Sequence, residues 1–169
     1  MKILIVGHQR HGKDTVAQMI ADEIGLTFRG SSYKAAEIFI YDELKEKYGY
    51  KSFEECFEDR VNHRAEWHDL ICDYNLHDKT RLAKDILKDN DMYVGMRSDA
   101  EVEECQKQGI FDLIIGVYDY RKPEEPMDSF NINIWKLCDF VIMNNASLVE
   151  LRKRVNILCK SISKINQKI

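Results

Sequence analysis

The chain has 169 residues, 44% of them apolar, and its 25 Lys and Arg residues stand against 29 Asp and Glu residues, a net charge of −4. These values predict a single folded domain over residues 1–169, and the acidic balance makes a nucleic acid an unexpected partner. No apolar run approaches the roughly 20 residues of a membrane span, and Met1–Gly7 is too short for the apolar core of a signal peptide. We therefore expect a cytoplasmic protein that is not embedded in a membrane. Its five cysteines form no CxxC pair, which predicts reduced thiols in the core.

Five short apolar runs predict strands, at residues 3–6, 26–29, 92–96, 113–118 and 140–143. Continuous apolar runs are typical of parallel strands that are buried on both faces. Helical patterns separate the runs, which predicts a three-layer α/β/α domain with a parallel sheet. Ligands of such sheets bind at the carboxyl ends of the strands.

Two segments do not fit the alternation of strands and helices. Residues 50–90 carry helical periodicity without a strand pattern, and we interpret them as a helical insert that includes a helix over residues 60–74. Residues 119–133 form a polar segment with both prolines of the chain, and we interpret them as a short lid.

The segment after the first strand has the spacing G-x-x-x-x-G-K, from Gly7 to Lys13, and precedes an amphipathic helix. Glycines let backbone N–H groups turn toward a phosphate, and the helix N-terminus adds partial positive charge. Lys13 is placed to reach the β and γ phosphates of a nucleotide. The sequence therefore predicts a phosphate-binding loop (P-loop).

Asp14 occupies the place where this motif usually has the Ser or Thr that binds Mg²⁺. Two interpretations stay open, because the Asp14 carboxylate suits a Mg²⁺ ligand and equally suits the first turn of a helix. Thr15 is then the hydroxyl expected near the α phosphate. His8 and His11 are expected to line the substrate.

On a helix through residues 60–74, one stripe holds Arg60, His63, Arg64, Trp67 and Ile71. Arginines bind a phosphate with two hydrogen bonds and an indole stacks on a base, so the stripe suits a nucleotide. The alternative is a helix whose tryptophan lies in the core and whose arginines form surface ion pairs. Arg97, after the third strand, is a further candidate for a phosphate, or else a partner of Asp99 or Glu101.

The chain resembles the bacteriophage-type deoxynucleoside monophosphate kinases, which are P-loop kinases. The resemblance covers nearly the whole chain, and its specific part is Gly7–Thr15. The weaker matches are Ser31-Ser32-Tyr33, residues 60–67, residues 96–101 and residues 138–144. The family commonly has an acid two places before the arginine of the third strand, where this chain has Gly95.

The resemblance implies a P-loop kinase fold with strand order 2-3-1-4-5, and transfer of the γ-phosphoryl group of ATP to a deoxynucleoside monophosphate, with Mg²⁺. It also implies host cytoplasm if the chain is phage-encoded, and it leaves dimerisation open. Lys13, Arg64 and Arg97 would be catalytic. The expected ATP-binding residues are Gly7, His8, Gln9, Arg10, His11, Gly12, Lys13, Asp14, Thr15, Arg121, Asn144 and Asn145. The expected acceptor-binding residues are Ser31, Ser32, Tyr33, Arg60, His63, Arg64, Trp67 and Arg97.

Two other functions stay open at this stage. One is a kinase for another acceptor, such as a modified base in DNA or a small metabolite. The other is a nucleotide-binding regulator with weak catalysis, which Asp14 and Gly95 would explain.

Overall fold

The fold is known from a computed structural model that describes residues 1–166. Its centre is one sheet of five parallel strands in the order β2-β3-β1-β4-β5. The strands are β1 (Ile3–Val6), β2 (Phe28–Gly30), β3 (Met92–Val94), β4 (Leu113–Tyr118) and β5 (Phe140–Met143). The parallel sheet and its strand order are as predicted; the last three residues of the predicted domain lie outside the described part.

Helices cover both faces of the sheet. They are α1 (Lys13–Ile24), α2 (Ser31–Ala35), α3 (Tyr41–Tyr48), α4 (Phe53–Asp59), α5 (Arg64–Tyr74), α6 (Arg81–Asp89), α7 (Asp99–Lys107), α8 (Ile134–Leu137) and α9 (Leu148–Asn166). A π-helical turn, Ala36–Ile40, joins α2 to α3 without a break. No helix in this part of the chain is long and apolar enough to cross a bilayer.

The alternation of side chains along β1 divides the core into two halves. Ile3 and Ile5 pack with α1 and α9 on one face, whereas Leu4 and Val6 pack with the helices of the other face. All four side chains are fully buried, which explains the continuous apolar run.

The cysteines only partly follow the prediction. Cys56, Cys105 and Cys159 are buried and Cys138 is partly buried, but Cys72 is exposed on α5. The prediction that all thiols lie in the core is therefore wrong for Cys72.

The register of the sheet places the ends of three neighbouring strands at one edge. Val6 pairs with Gly116, and Ile5 pairs with Val94, so β1, β3 and β4 end side by side. The loops that follow these strands begin at Gly7, Gly95 and Asp119, and they meet at this carboxyl edge.

Candidate active site

The predicted P-loop is a tight turn between β1 and α1. Gly12 has a left-handed φ of 94° and caps α1, and Arg10 also has a left-handed φ, 65°. A Cβ atom on Gly7 would lie 2.4 Å from the carbonyl oxygen of Val117, so only glycine fits there. The first N–H groups of α1 have no partner within the helix, and such N–H groups are suited to bind an anion.

Lys13 lies at the mouth of the loop, next to the start of the β3–α7 connection. Its Cε atom is 3.7 Å from the Cβ position of Gly95. Burial lowers the pKa of the Lys13 ammonium, the carboxylate of Asp14 opposes this, and the positive charge of Arg97 lowers the pKa further. A cation held in a partly desolvated place beside another cation is arranged to bind an anion.

The two histidines of the loop bind the 119–133 segment instead of facing an open cavity. His11 is fully buried; its Nδ1 accepts from the Asp119 N–H at 3.2 Å, and its Nε2 lies 3.2 Å from the Pro123 carbonyl oxygen. Because Nδ1 accepts a hydrogen bond, Nε2 carries the proton and donates to Pro123. The prediction that the His11 side chain lines the substrate is wrong, since the ring is enclosed by the lid segment.

His8 makes the second contact of this kind. Its Nδ1 accepts from the Glu125 N–H at 3.0 Å, and its ring lies 4.3 Å from that of Phe130. Burial lowers the pKa of His8, the charges of His11 and Lys13 add to this, and Glu124 and Glu125 oppose it. The neutral ring is the form that accepts this hydrogen bond. The substrate-lining role of His8 stays a prediction.

Glu125 is a residue of the site that sequence reasoning missed. One carboxylate oxygen accepts from the backbone N–H of Gln9 at 2.6 Å, and the other accepts from Nη1 of Arg97 at 2.7 Å. The same Nη1 donates to the Ser129 carbonyl oxygen at 3.1 Å. Arg97 is thus held over the P-loop by the lid segment, and its ion pair is with Glu125 instead of Asp99 or Glu101.

The acceptor side differs from the predicted helix over residues 60–74. α4 ends at Asp59, a turn follows, and α5 begins at Arg64. The turn forms because the Asp59 carboxylate accepts from the Asn62 side chain at 2.6 Å and pairs with the His63 ring at 2.9 Å. The prediction of one helix, and of one stripe on it, is therefore wrong.

The two arginines of this region have different surroundings. Arg60 lies 3.9 Å from the centre of the Phe57 ring and donates to the Phe57 carbonyl oxygen at 2.7 Å. Arg64 is exposed and its Nη1 lies 3.4 Å from Oε1 of Gln9 in the P-loop. Only Arg64 of the predicted stripe therefore contacts the P-loop.

Trp67 belongs to the core. It is 5% exposed, packs near Phe57, and its Nε1 has no hydrogen-bond partner among the described residues. The prediction that Trp67 stacks on a base is wrong, because the indole has almost no free face.

Tyr33 is a partly exposed aromatic ring on the same side. Its centroid is 5.0 Å from those of Phe53 and Phe57, and the Arg29 guanidinium lies 5.1 Å from its centre. Ser31, two residues earlier, has its hydroxyl 2.8 Å from the Cβ position of Gly95. Ser31 therefore lies against the start of the loop after β3, while Ser32 between them is exposed.

Three residues expected to bind ATP make hydrogen bonds within the protein. The Asn144 side-chain amide donates to the His11 carbonyl oxygen at 3.0 Å, and the Asn145 side chain accepts from Arg154 at 2.8 Å. Arg121 donates to both carboxylate oxygens of Asp119, at 2.8 and 2.9 Å, and to the Asn144 carbonyl oxygen at 2.9 Å. Hydrogen bonds from Arg121 lower the pKa of Asp119. Both oxygens of that carboxylate are therefore engaged by Arg121.

No protein-family model matches the sequence, and no curated protein matches it significantly. Among solved structures, the chain is similar to shikimate kinase from Aquifex aeolicus. The TM-score is 0.50 at 14% identity, over 96% of this chain and 98% of that one. At this identity the likeness shows the fold alone, and the chain therefore has the three-layer P-loop kinase fold.

Proposed function

We propose that the chain transfers the γ-phosphoryl group of ATP to a deoxynucleoside monophosphate. The observation that carries the proposal is the position of two arginines, Arg64 and Arg97, beside Gln9 of the P-loop. Arg64 approaches the Gln9 side chain from α5, and Arg97 shares the Glu125 carboxylate with the Gln9 N–H. Two arginines at the edge of a P-loop give the positive charge that a migrating phosphoryl group needs.

On the donor side, the P-loop amides, the start of α1 and Lys13 would bind the phosphates of ATP. Thr15 is exposed in the first turn of α1, as a hydroxyl near the α phosphate requires. Arg121 and Asn145 lie in the loops that follow β4 and β5, and the turn at Asn144 and Asn145 would contact the adenine edge. Asn144 would act through its backbone, since its amide is bonded to His11.

Mg²⁺, when bound, neutralises charge on the β and γ oxygens. Within the described residues, no group of three His, Cys, Asp or Glu side chains is arranged to hold a metal. Mg²⁺ in kinases is held mostly by phosphates and water, with one or two carboxylates. Asp14, exposed beside Lys13, fits that requirement as an oxygen ligand.

On the acceptor side, Arg64 and Arg97 would bind the phosphate of the monophosphate. Tyr33 offers a partly exposed ring close to Arg29, which suits an aromatic base better than the buried Trp67 does. The deoxyribose preference rests on the family resemblance of the sequence.

Catalysis here needs positioning more than a strong base. An oxygen of the acceptor phosphate attacks the γ-phosphorus, the bond to the β–γ bridging oxygen breaks, and ADP leaves. The transition state is loose, with charge on the equatorial oxygens. The cations of Lys13, Arg64 and Arg97 would stabilise that charge and keep the phosphoryl group aligned with the attacking oxygen.

The test is an assay of ADP release with ATP-Mg²⁺ and each of the four common deoxynucleoside monophosphates. Modified deoxynucleotides, the matching ribonucleotides and shikimate complete the panel, and Lys13→Ala is the inactive control. Turnover of one or more deoxynucleotides above the reaction without acceptor supports the proposal. Turnover of shikimate or another small metabolite alone, or tight ATP binding without turnover, would instead support one of the two other functions.

A further inference from the structure

The lid segment places a negative charge where the proposed reaction needs a phosphate. The Glu125 carboxylate accepts from the Gln9 N–H of the P-loop at 2.6 Å and from Arg97 at 2.7 Å. A phosphoryl group at the mouth of this loop would need the same two donors.

We propose that Glu125 is a built-in competitor of the nucleotide, whose carboxylate occupies the phosphate position until the polyphosphate chain of ATP displaces it. The inference rests on the proposed phosphoryl transfer at this site. It adds an autoinhibitory contact that the resemblance does not imply.

The surroundings of Glu125 indicate that its carboxylate occupies a phosphate position and is not an ordinary surface ion pair. Burial would raise the pKa of this carboxyl, but the hydrogen bonds from Arg97 and from the Gln9 N–H, with the charge of Lys13, lower it overall. The Glu125 side chain is 14% exposed while that of Arg97 is 43% exposed. The carboxylate is therefore ionised and set into the loop, and the arginine lies on its outer side.

The backbone next to Glu125 is fixed to the same loop. The Glu125 N–H donates to His8, and Pro123 accepts from His11. These contacts hold the carboxylate at the loop mouth, and they must rearrange if the lid segment moves away.

The two anions cannot share the site. A carboxylate and a phosphate that compete for the same N–H and guanidinium also repel each other. Binding of the polyphosphate would therefore displace Glu125 from the Gln9 N–H and from Arg97, so Arg97 would face phosphoryl groups only after ATP has entered.

The fraction of the protein in which Glu125 has left the loop determines the apparent Kd for ATP. If ATP binds only the open state, the apparent Kd is the intrinsic Kd divided by the open fraction. Because Arg97 is partly exposed, we expect removal of the Glu125 charge to tighten binding by roughly threefold to tenfold.

The experiment compares wild type, Glu125→Gln and Glu124→Gln by equilibrium titration with ATP and with inorganic tripolyphosphate, which has no base. Glu124 is the matched control: it is one residue away and loses the same charge, but its carboxylate accepts from the Tyr118 hydroxyl instead of a loop amide. Glu125→Ala is a second variant, and thermal melting checks that each protein folds. Amide hydrogen exchange follows residues 119–133 with and without ATP.

Tighter binding of both ligands by Glu125→Gln or Glu125→Ala, with no change in Glu124→Gln, supports the inference. Faster exchange in residues 119–133 when ATP binds to wild type supports it independently. Equal or weaker binding by folded Glu125 variants overturns it. Binding without phosphoryl transfer to any acceptor would reject the proposed kinase but keep the competitor, whereas a folded wild type that binds neither ligand would reject both.

Discussion

The proposed donor and acceptor sides of this site are built in different ways. The P-loop is formed by consecutive residues, fixed by glycine geometry and by the N-terminus of α1. The acceptor side draws Tyr33, Arg64 and Arg97 from three separate elements, and two of these side chains rest on partners from elsewhere in the chain. The backbone of the P-loop already has its turn before a ligand arrives, and only its Gln9 N–H must exchange Glu125 for a phosphate. The side chains of the acceptor side must leave several such partners when a ligand binds.

The strongest test of the donor side is Lys13→Ala. We expect phosphoryl transfer to fall by about 10²–10³-fold, the usual loss when one donor to the transition state is removed. The melting temperature should change little, because Lys13 is only partly buried at the start of α1. Steady-state kinetics measures the loss; Lys45→Ala, an exposed lysine paired with Asp42, is the control and should keep full activity.

Gly7→Ala tests whether the loop is fixed by its backbone. The new methyl group would lie 2.4 Å from the Val117 carbonyl oxygen, so the loop or β4 must shift. We expect a loss of about 3 kcal/mol in the free energy of unfolding.

Gly25→Ala is the matched control for that measurement by urea titration. Gly25 also has a left-handed φ, 72°, but nothing lies within 4 Å of its Cβ position. We expect a loss of about 1 kcal/mol there. Equal losses at the two glycines would contradict the tight contact between the P-loop and β4.

On the acceptor side, Arg64→Ala should lower kcat/KM for the monophosphate by about tenfold to a hundredfold, the range for a hydrogen bond to a charged group. Arg60→Ala should have a smaller effect, because its guanidinium lies on Phe57 and donates to backbone. Acceptor titrations at saturating ATP compare the two. Equal losses of kcat/KM in the two variants would indicate that Arg60 also binds the acceptor phosphate.

The pH dependence of stability tests the contact between the P-loop and the lid segment. Because the folded-state pKa of His8 is below its ordinary value of 6.5, the unfolded chain binds more protons, and stability falls as the pH drops below about 6.5. His8→Asn keeps a hydrogen-bond acceptor but does not titrate. Urea titrations between pH 5 and 7 should give a flatter profile for this variant, and parallel profiles would refute the role of His8.

The smallest expected effect is that of Trp67→Phe. The substitution removes a buried N–H without a partner and some buried area, so the two changes partly cancel, and we expect a stability loss of about 1 kcal/mol or less. KM for the monophosphate should be unchanged, as measured by initial rates. A large rise in KM would mean that the indole does contact the base.

The same division explains what the sequence could predict. The five strands and the P-loop follow from local patterns, because buried parallel strands need continuous apolar runs and the phosphate turn needs glycines at fixed spacing. The expected strand order agrees with the sheet.

Local sequence patterns could not predict the contacts between residues that are far apart in the chain. Glu125 meets Gln9 across 116 positions of the chain, and no periodicity links them. The break between α4 and α5 depends on hydrogen bonds of the Asp59 side chain that compete with the helix. The prediction of one stripe assumed a continuous helix over residues 60–74 and was therefore wrong. Trp67 entered the core because the indole gains more from burial than its N–H loses.

The two tryptophans lie in contrasting surroundings. Trp67 is buried on α5 near Phe57 of α4, whereas Trp135 is 63% exposed and meets Tyr118 edge-to-face at 5.6 Å. Replacing Trp135 by phenylalanine would leave a single emitter in the wall of the acceptor side. Its emission maximum would then report rearrangement of that wall in real time, without any label attached to the protein.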